Sequence, residues 1–187
     1  MSIPWFWIIG GPNGAGKTTF CFEFLKSLTG TPNYVNADLI AAGLVPLAPS
    51  SRPVLAAKTM LGQVSGYIRL KKSFAVETTL SGNTWAKQAR KLKRAGWKIG
   101  LVYLWLETPE IALRRVEERV RKGGHSIPPL TVLRRLARGR ANLRAYVTLA
   151  DEWAMFDNST ERLCMIARHS GGKTKVKNKV LFNRMLP

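Results

Sequence analysis

Gly11-Pro12-Asn13-Gly14-Ala15-Gly16-Lys17-Thr18 decides the reading of this chain: the stretch fits G-x-x-x-x-G-K-[ST] without a mismatch and follows the apolar run Trp5 to Ile9. A strand, a glycine-rich turn and a helix in that order form a P-loop, which predicts a nucleoside triphosphate ligand. Glycines at 11, 14 and 16 let the backbone turn tightly and aim N–H groups at phosphate oxygens, and the helix start adds its positive dipole end. Pro12, Asn13 and Ala15 complete the cradle, and Thr19 continues into the helix Thr19-Phe20-Cys21-Phe22-Glu23-Phe24-Leu25. Lys17 supplies a point charge for the β and γ phosphates, and the Thr18 hydroxyl is placed to ligate Mg²⁺, so ATP and Mg²⁺ are the expected cofactors.

Outward from that motif, apolar runs alternate with helical patterns. Strands are expected at Trp5 to Ile9, Tyr34 to Asn36, Phe74 to Glu77, Ile99 to Leu106, Met155 to Phe156 and Leu163 to Ala167. Helices are expected over Lys17 to Leu28, Val54 to Lys71, Thr84 to Ala95, Pro109 to Arg121 and Pro129 to Trp153, with a short one at Leu39 to Ala42. This alternation predicts a parallel sheet with helices on both faces. A length of 187 residues at 45% hydrophobic content suits one core and leaves little room for a second domain. Trp5 to Ile9 is too short to span a membrane and lacks the basic flank of a signal peptide, so a cytoplasmic protein with no membrane partner is expected. Cys21 and Cys164 read as small core residues, and Trp85, Trp97 and Trp105 as core or helix-packing residues.

The formal net charge is +19. From Lys87 to Arg144 sixteen Lys and Arg face four acids, and from Arg168 to Arg184 six face none. Such a distribution suits nucleotide phosphates, a doubly charged second substrate or nucleic acid, and it equally suits a solubilising surface. The Lys-rich segment Gly171 to Lys179 has few residues to bury and reads as part of a mobile tail.

Acids are scarce, which narrows the chemistry. Before Glu107 there are only Glu23, Asp38 and Glu77, and the last two fall just past the carboxyl ends of expected strands, where open α/β sheets hold ligands. A phosphoryl transferase needs a base for the acceptor hydroxyl and a carboxylate that orients the acceptor or the metal shell. The structural alternatives are an N-cap for the short helix at Asp38 and a carboxylate tied to backbone N–H groups at Glu77.

Gly-Pro-Asn-Gly-Ala-Gly-Lys-Thr-Thr at 11 to 19, Asn36-Ala37-Asp38-Leu39-Ile40-Ala41-Ala42-Gly43-Leu44, Phe74-Ala75-Val76-Glu77-Thr78-Thr79-Leu80-Ser81-Gly82, Gly123-Gly124-His125-Ser126-Ile127-Pro128 and Asp157-Asn158-Ser159 together resemble the zeta toxin family, in its short stand-alone bacterial branch. The resemblance runs from about Trp5 to Ala167. It implies a three-layer, P-loop kinase-like α/β fold with a helical lid. It also implies transfer of the ATP γ-phosphate to a hydroxyl of a UDP-activated amino sugar, typically UDP-N-acetylglucosamine, and a small helical antitoxin as partner. By motif match Asp38 is the catalytic base and Glu77 helps hold the sugar nucleotide, with Thr78, Thr79 and Ser81 following in the substrate loop. Their alternative role is ordinary turn chemistry.

The expected organisation is a kinase domain over 1–170, its lid at about 114–135, and a basic tail over 171–187. In the lid, Arg119 and Arg135 are the expected phosphate contacts, stabilising the transferring group together with Lys17. Arg114 with Glu118 and Glu117 with Arg121 have i,i+4 spacing and can serve merely to stabilise an exposed helix. His125 reads as a lid contact or turn residue, and Asp157-Asn158-Ser159 as either an edge of the adenine site or a turn held by its own side chains. The competing functions are a P-loop ATPase, or a kinase acting on nucleic acid, a nucleotide or an antibiotic hydroxyl.

Overall fold

The hydrophobic runs on either side of the P-loop become neighbouring strands. In the computed structural model, which describes residues 2–44, 53–124 and 126–186, β1 (Trp5–Gly10) pairs in parallel with β3 (Phe74–Thr78) on one side and β4 (Lys98–Trp105) on the other. β2 (Tyr34–Val35) adds in parallel to β3, and β5 (Glu152–Asp157) to β4. The sheet then continues with two antiparallel strands, β6 (Cys164–Ser170) and β7 (Lys173–Val176), giving the order β2-β3-β1-β4-β5-β6-β7. The sheet is therefore mixed where a parallel one is expected. The short connection Lys173 makes with β6 through Gly171 and Gly172 permits only an antiparallel return, since a parallel one needs a long crossover.

Strand side chains alternate between faces, and each face builds its own core. Phe6, Ile8, Phe74, Val76, Leu101 and Tyr103 pack beneath α3 (Pro53–Arg69), α4 (Thr84–Arg94) and the second half of α6 (Pro129–Leu149). Trp7, Ile9, Val102 and Leu104 pack beneath α1 (Lys17–Thr29), α5 (Pro109–Arg121) and the first half of α6. The short helix α2 (Ala37–Leu44) follows β2 directly. Among the described residues, no helix is long and apolar enough to cross a membrane.

Two expectations change here. Helix α6 ends at Leu149, with Ala150 already extended, because Trp153 is needed in β5, where it sits on the core. The expected mobile tail is ordered structure: β7 is followed by α7 (Lys179–Met185), whose first turn is capped by Asn178 accepting from the Leu181 N–H at 3.0 Å. Five cations hide an apolar pattern in this segment. Val176, Leu181, Phe182 and Leu186 pack on the core, Met185 is buried, and Phe182 stacks on Trp153 with ring centroids 6.0 Å apart.

Candidate active site

The parallel register places the carboxyl ends of β1, β3 and β2 side by side, so the P-loop, Glu77 and the start of α2 meet. Glu77 pairs in register with Ile9, immediately before the P-loop. Gly16 is the residue before α1 at φ 78°, and a Cβ there would lie 2.7 Å from the Asn158 amide nitrogen; no side chain caps the helix. The first-turn N–H groups of α1 thus point at the loop's concave side, as phosphate binding requires.

The side chains inside this cradle form one network. Lys17 is buried and donates to the Pro12 carbonyl at 2.8 Å, with Glu77 Oε1 at 3.7 Å. Burial pushes the Lys17 ammonium below its ordinary range; Glu77 and then Asp38 pull it back up, and Arg119 lowers it further. Thr18 Oγ1 donates to Glu77 Oε2 at 2.9 Å, and the Tyr34 hydroxyl donates to the same oxygen. Asn36 Nδ2 reaches Glu77 Oε2 at 2.7 Å, the Tyr34 hydroxyl at 2.9 Å and Thr18 Oγ1 at 3.4 Å. Burial, then the Glu77 charge, raises the Tyr34 phenol strongly, so it stays protonated and remains a donor.

Asn36 also uses its other end. Its Oδ1 accepts the N–H groups of Asp38 at 2.8 Å and Leu39 at 3.2 Å, capping α2. Asp38 is therefore not the cap, and its exposed carboxylate lies in the first turn of α2, close enough for its charge to act on Lys17. Glu77 is held by side chains and not by the backbone N–H groups that a strand-end carboxylate can use.

The loop after β3 is fixed from above by α6. Leu80, at φ 57°, is fully buried against Gly10; Asn142 Nδ2 donates to its carbonyl at 2.8 Å, and the Tyr146 hydroxyl donates to Gly82 O at 3.0 Å. Gly139 lets α6 come this close, since a Cβ there would sit 2.3 Å from the Thr79 carbonyl oxygen. Within the loop Thr78 Oγ1 accepts from the Leu80 N–H at 3.1 Å, and the Thr79 and Ser81 hydroxyls lie 2.8 Å apart. These three hydroxyls thus perform turn chemistry here.

On the other flank, Arg115 ties α5 to the P-loop and to the segment after β5, donating to Asn158 O at 2.7 Å, Thr160 O at 3.0 Å and Gly14 O at 3.5 Å. Asn158 Nδ2 donates to Ala15 O at 2.9 Å, while Asp157 Oδ1 accepts from the Ser159 N–H at 2.9 Å. The tripeptide is thus a self-bonded turn, and its Asn158 also borders a cleft of about 320 Å³ lined by Gly16, Thr19, Phe20, Arg115, Asn158 and Thr160. Next to it, Arg115, Glu118, Arg119, Lys122 and Gly124 line a second open cleft of about 400 Å³.

Arg119 is half-buried on α5, close enough for its charge to act on Lys17, and Arg135 is half-buried on α6. Arg121 pairs with Glu117 at 2.6 Å and Arg114 with Glu118 at 3.9 Å, all exposed, so these two arginines serve the helix. His125 lies outside the described residues. Cys21 is buried beside the network, and Cys164 is exposed, which corrects the expectation that both belong to the core. Tyr34 escapes a motif search and Asn36 enters one only as the start of the stretch around Asp38, yet their two-residue spacing at the end of β2 brings both to Glu77.

Among the described residues no group of three or more His, Cys, Asp and Glu could hold a metal alone. One hydroxyl and one carboxylate, Thr18 and Glu77 at 2.9 Å, are hard oxygen donors that suit Mg²⁺ held mainly by phosphate and water.

The sheet order and P-loop define the class as an α/β P-loop fold with a strand order that solved kinase-like structures share. The AvrRxo1-ORF1:AvrRxo1-ORF2 complex, solved with sulphate ions and with ATP, contains a chain that superposes at TM-score 0.73 and 20% identity over 98% of this chain. This chain spans 63% of the length of that one. A chain from the PezAT chromosomal toxin–antitoxin system of Streptococcus pneumoniae superposes at TM-score 0.66 and 19% identity, covering 97% of this chain and 78% of that one. No protein-family model matches the sequence. The chain belongs to the same family as an uncharacterized protein of Haemophilus influenzae, with which it is 31% identical over 119 residues, 63% of this chain and 81% of that protein.

Proposed function

We propose that this protein is an ATP-dependent phosphotransferase that moves the γ-phosphate to a hydroxyl of a UDP-activated amino sugar such as UDP-N-acetylglucosamine, as the toxin of a pair with a small helical antitoxin. The observation that carries the reading is the coupling of three parts by one amide: Asn36 caps the helix bearing Asp38 and bonds both Glu77 and the Thr18 side of the P-loop. A base, a phosphate cradle and a carboxylate–hydroxyl pair are thus fixed relative to one another before substrate arrives, which is what in-line transfer needs.

The P-loop N–H groups and Lys17 hold the β and γ phosphates, and the cleft beside Asn158 takes the base and ribose. Mg²⁺, when bound, neutralises the β and γ oxygens; Thr18 and Glu77 would hold it. Asp38 accepts the proton of the acceptor hydroxyl as that oxygen forms its bond to the γ phosphorus. The bond to the bridging oxygen breaks, and its electron pair leaves on ADP. Arg119 and Arg135 offset charge spreading over the transferred group. Glu77 and the loop Thr78, Thr79 and Ser81 border the acceptor. A chain of the same fold in the PezAT toxin–antitoxin system, and another in the two-component AvrRxo1-ORF1:AvrRxo1-ORF2 complex, support the partner.

The test is ATP consumption by the purified protein with Mg²⁺ and a panel of UDP-sugars, with mass analysis of products. A UDP-sugar heavier by one phosphate is the expected result. ATP hydrolysis with every UDP-sugar unchanged contradicts the assigned acceptor and directs the search to nucleotides, nucleic-acid ends and antibiotic hydroxyls.

A further inference from the structure

Helix α4 concentrates charge of one sign on its outer side. Ala86, Ala89 and Leu92 face the core, while Lys87, Arg90, Lys91 and Arg94 are exposed and, with Ala95, line an open groove of about 460 Å³. Lys93 is committed elsewhere, donating to Leu149 O and pairing with Asp151 at 2.9 Å. No carboxylate among the described residues pairs with the other four.

The sequence contains no acid between Glu77 and Glu107, nor between Glu118 and Asp151, so α4 and its neighbour α6 are both without carboxylates. The two helices lie alongside each other, with Lys93 of α4 donating to Leu149 O of α6, and α6 adds exposed Arg138 and Arg144. Lys87 with Lys91 and Arg90 with Arg94 stand at i,i+4, where like charges repel. Nothing in the described fold relieves that repulsion.

We propose that the outer face of α4 docks the phosphate backbone of a nucleic-acid duplex. A protein partner would call for an apolar centre within the contact, and a membrane surface for inserted apolar side chains. No large apolar side chain of α4 is exposed. Unpaired bases would call for aromatic platforms, but Trp85 packs inward on Phe6, with ring centroids 6.0 Å apart. What remains is regularly spaced negative charge met by charge and shape alone. From 87 to 94 the helix rises about 10 Å, enough to follow about three successive phosphates of one strand.

The test is fluorescence anisotropy of the full chain, without ATP, on labelled mixed-sequence DNA and RNA duplexes of about 20 base pairs across about 50 to 300 mM salt. The expected result is binding that weakens with salt at a log–log slope of about −2.7 to −3.6, from about 0.9 for each of three to four phosphate contacts. The preferred duplex of the two identifies the source of the backbone. The combined variant Lys87→Gln, Arg90→Gln, Lys91→Gln and Arg94→Gln is expected to lose at least about tenfold in affinity and to flatten the slope, with ATP turnover unchanged. Single Arg90→Gln and Lys91→Gln variants, each lowering the slope by about one, read the same contacts if the fourfold variant fails to fold. Absence of salt-dependent binding by the wild type overturns the proposal. So does an unchanged slope in the variants, or a loss of binding that appears only on changing Arg168, Lys173 and Lys175 of β6 and β7. Equal binding to vesicles of anionic phospholipid overturns it as well. ATP turnover, followed in parallel, separates failure of this proposal from failure of the kinase reading.

Discussion

At the scale of the residue, the site turns on Asn36, whose amide oxygen and nitrogen serve two different elements. Changing Asn36 to Asp keeps the acceptor for α2 and sets a second carboxylate against Glu77. The expected outcome is a loss of about 2 kcal/mol or more in urea-unfolding stability, with a larger fall in kcat than in ATP affinity. An unchanged denaturation midpoint would show that the amide nitrogen carries no weight. The cysteines give a second check. Burial raises the Cys21 thiol to about 12, so at pH 8 it is almost wholly protonated, whereas Cys164 is exposed. A thiol reagent at pH 8 should modify Cys164 alone, and both only after unfolding; labelling of Cys21 in the native protein would contradict its placement. The P-loop was legible because its chemistry is written in consecutive residues, and Asp38 and Glu77 because acids at strand ends are rare here. The Asn36–Glu77 and Arg115–Gly14 contacts were not legible, since they join residues 41 and 101 positions apart.

At the scale of the element, α6 acts as a clamp on the loop after β3. Gly139→Ala forces a methyl group into the Thr79 carbonyl and is expected to cost about 1 to 3 kcal/mol of stability. With the acceptor placed beside this loop as proposed, KM for the acceptor should rise while KM for ATP holds; equal changes in both would point to general loosening. Helix positions were mostly readable, and α5 begins and ends where its Pro109 start and charge pattern predict. The end of α6 was misread because Tyr146, Val147 and Leu149 continue a helical apolar spacing almost up to Trp153, and only the demand of β5 for that tryptophan stops the helix.

At the scale of the whole molecule, the sheet carries its chemistry at one set of strand ends and is completed by the C-terminal hairpin and helix. Removing residues 173 to 187 would uncover Trp153 and strip Phe182 and Met185 from the core. Burial of two such side chains contributes roughly 3 to 6 kcal/mol, so the shortened protein should unfold at a clearly lower temperature; an unchanged Tm would mean the segment is an ornament. Charge misled the sequence reading here, since the lysines of this segment outweigh a handful of apolar residues whose partners lie on β5 and β6. The central claim is that the cradle and the base are separate parts of one transfer machine, and it is tested most directly by measuring ATP affinity and phosphoryl transfer side by side in Lys17→Ala and Asp38→Ala. Both variants should lose transfer, with ATP binding greatly weakened only in Lys17→Ala. Near-normal turnover by Asp38→Ala would contradict the account.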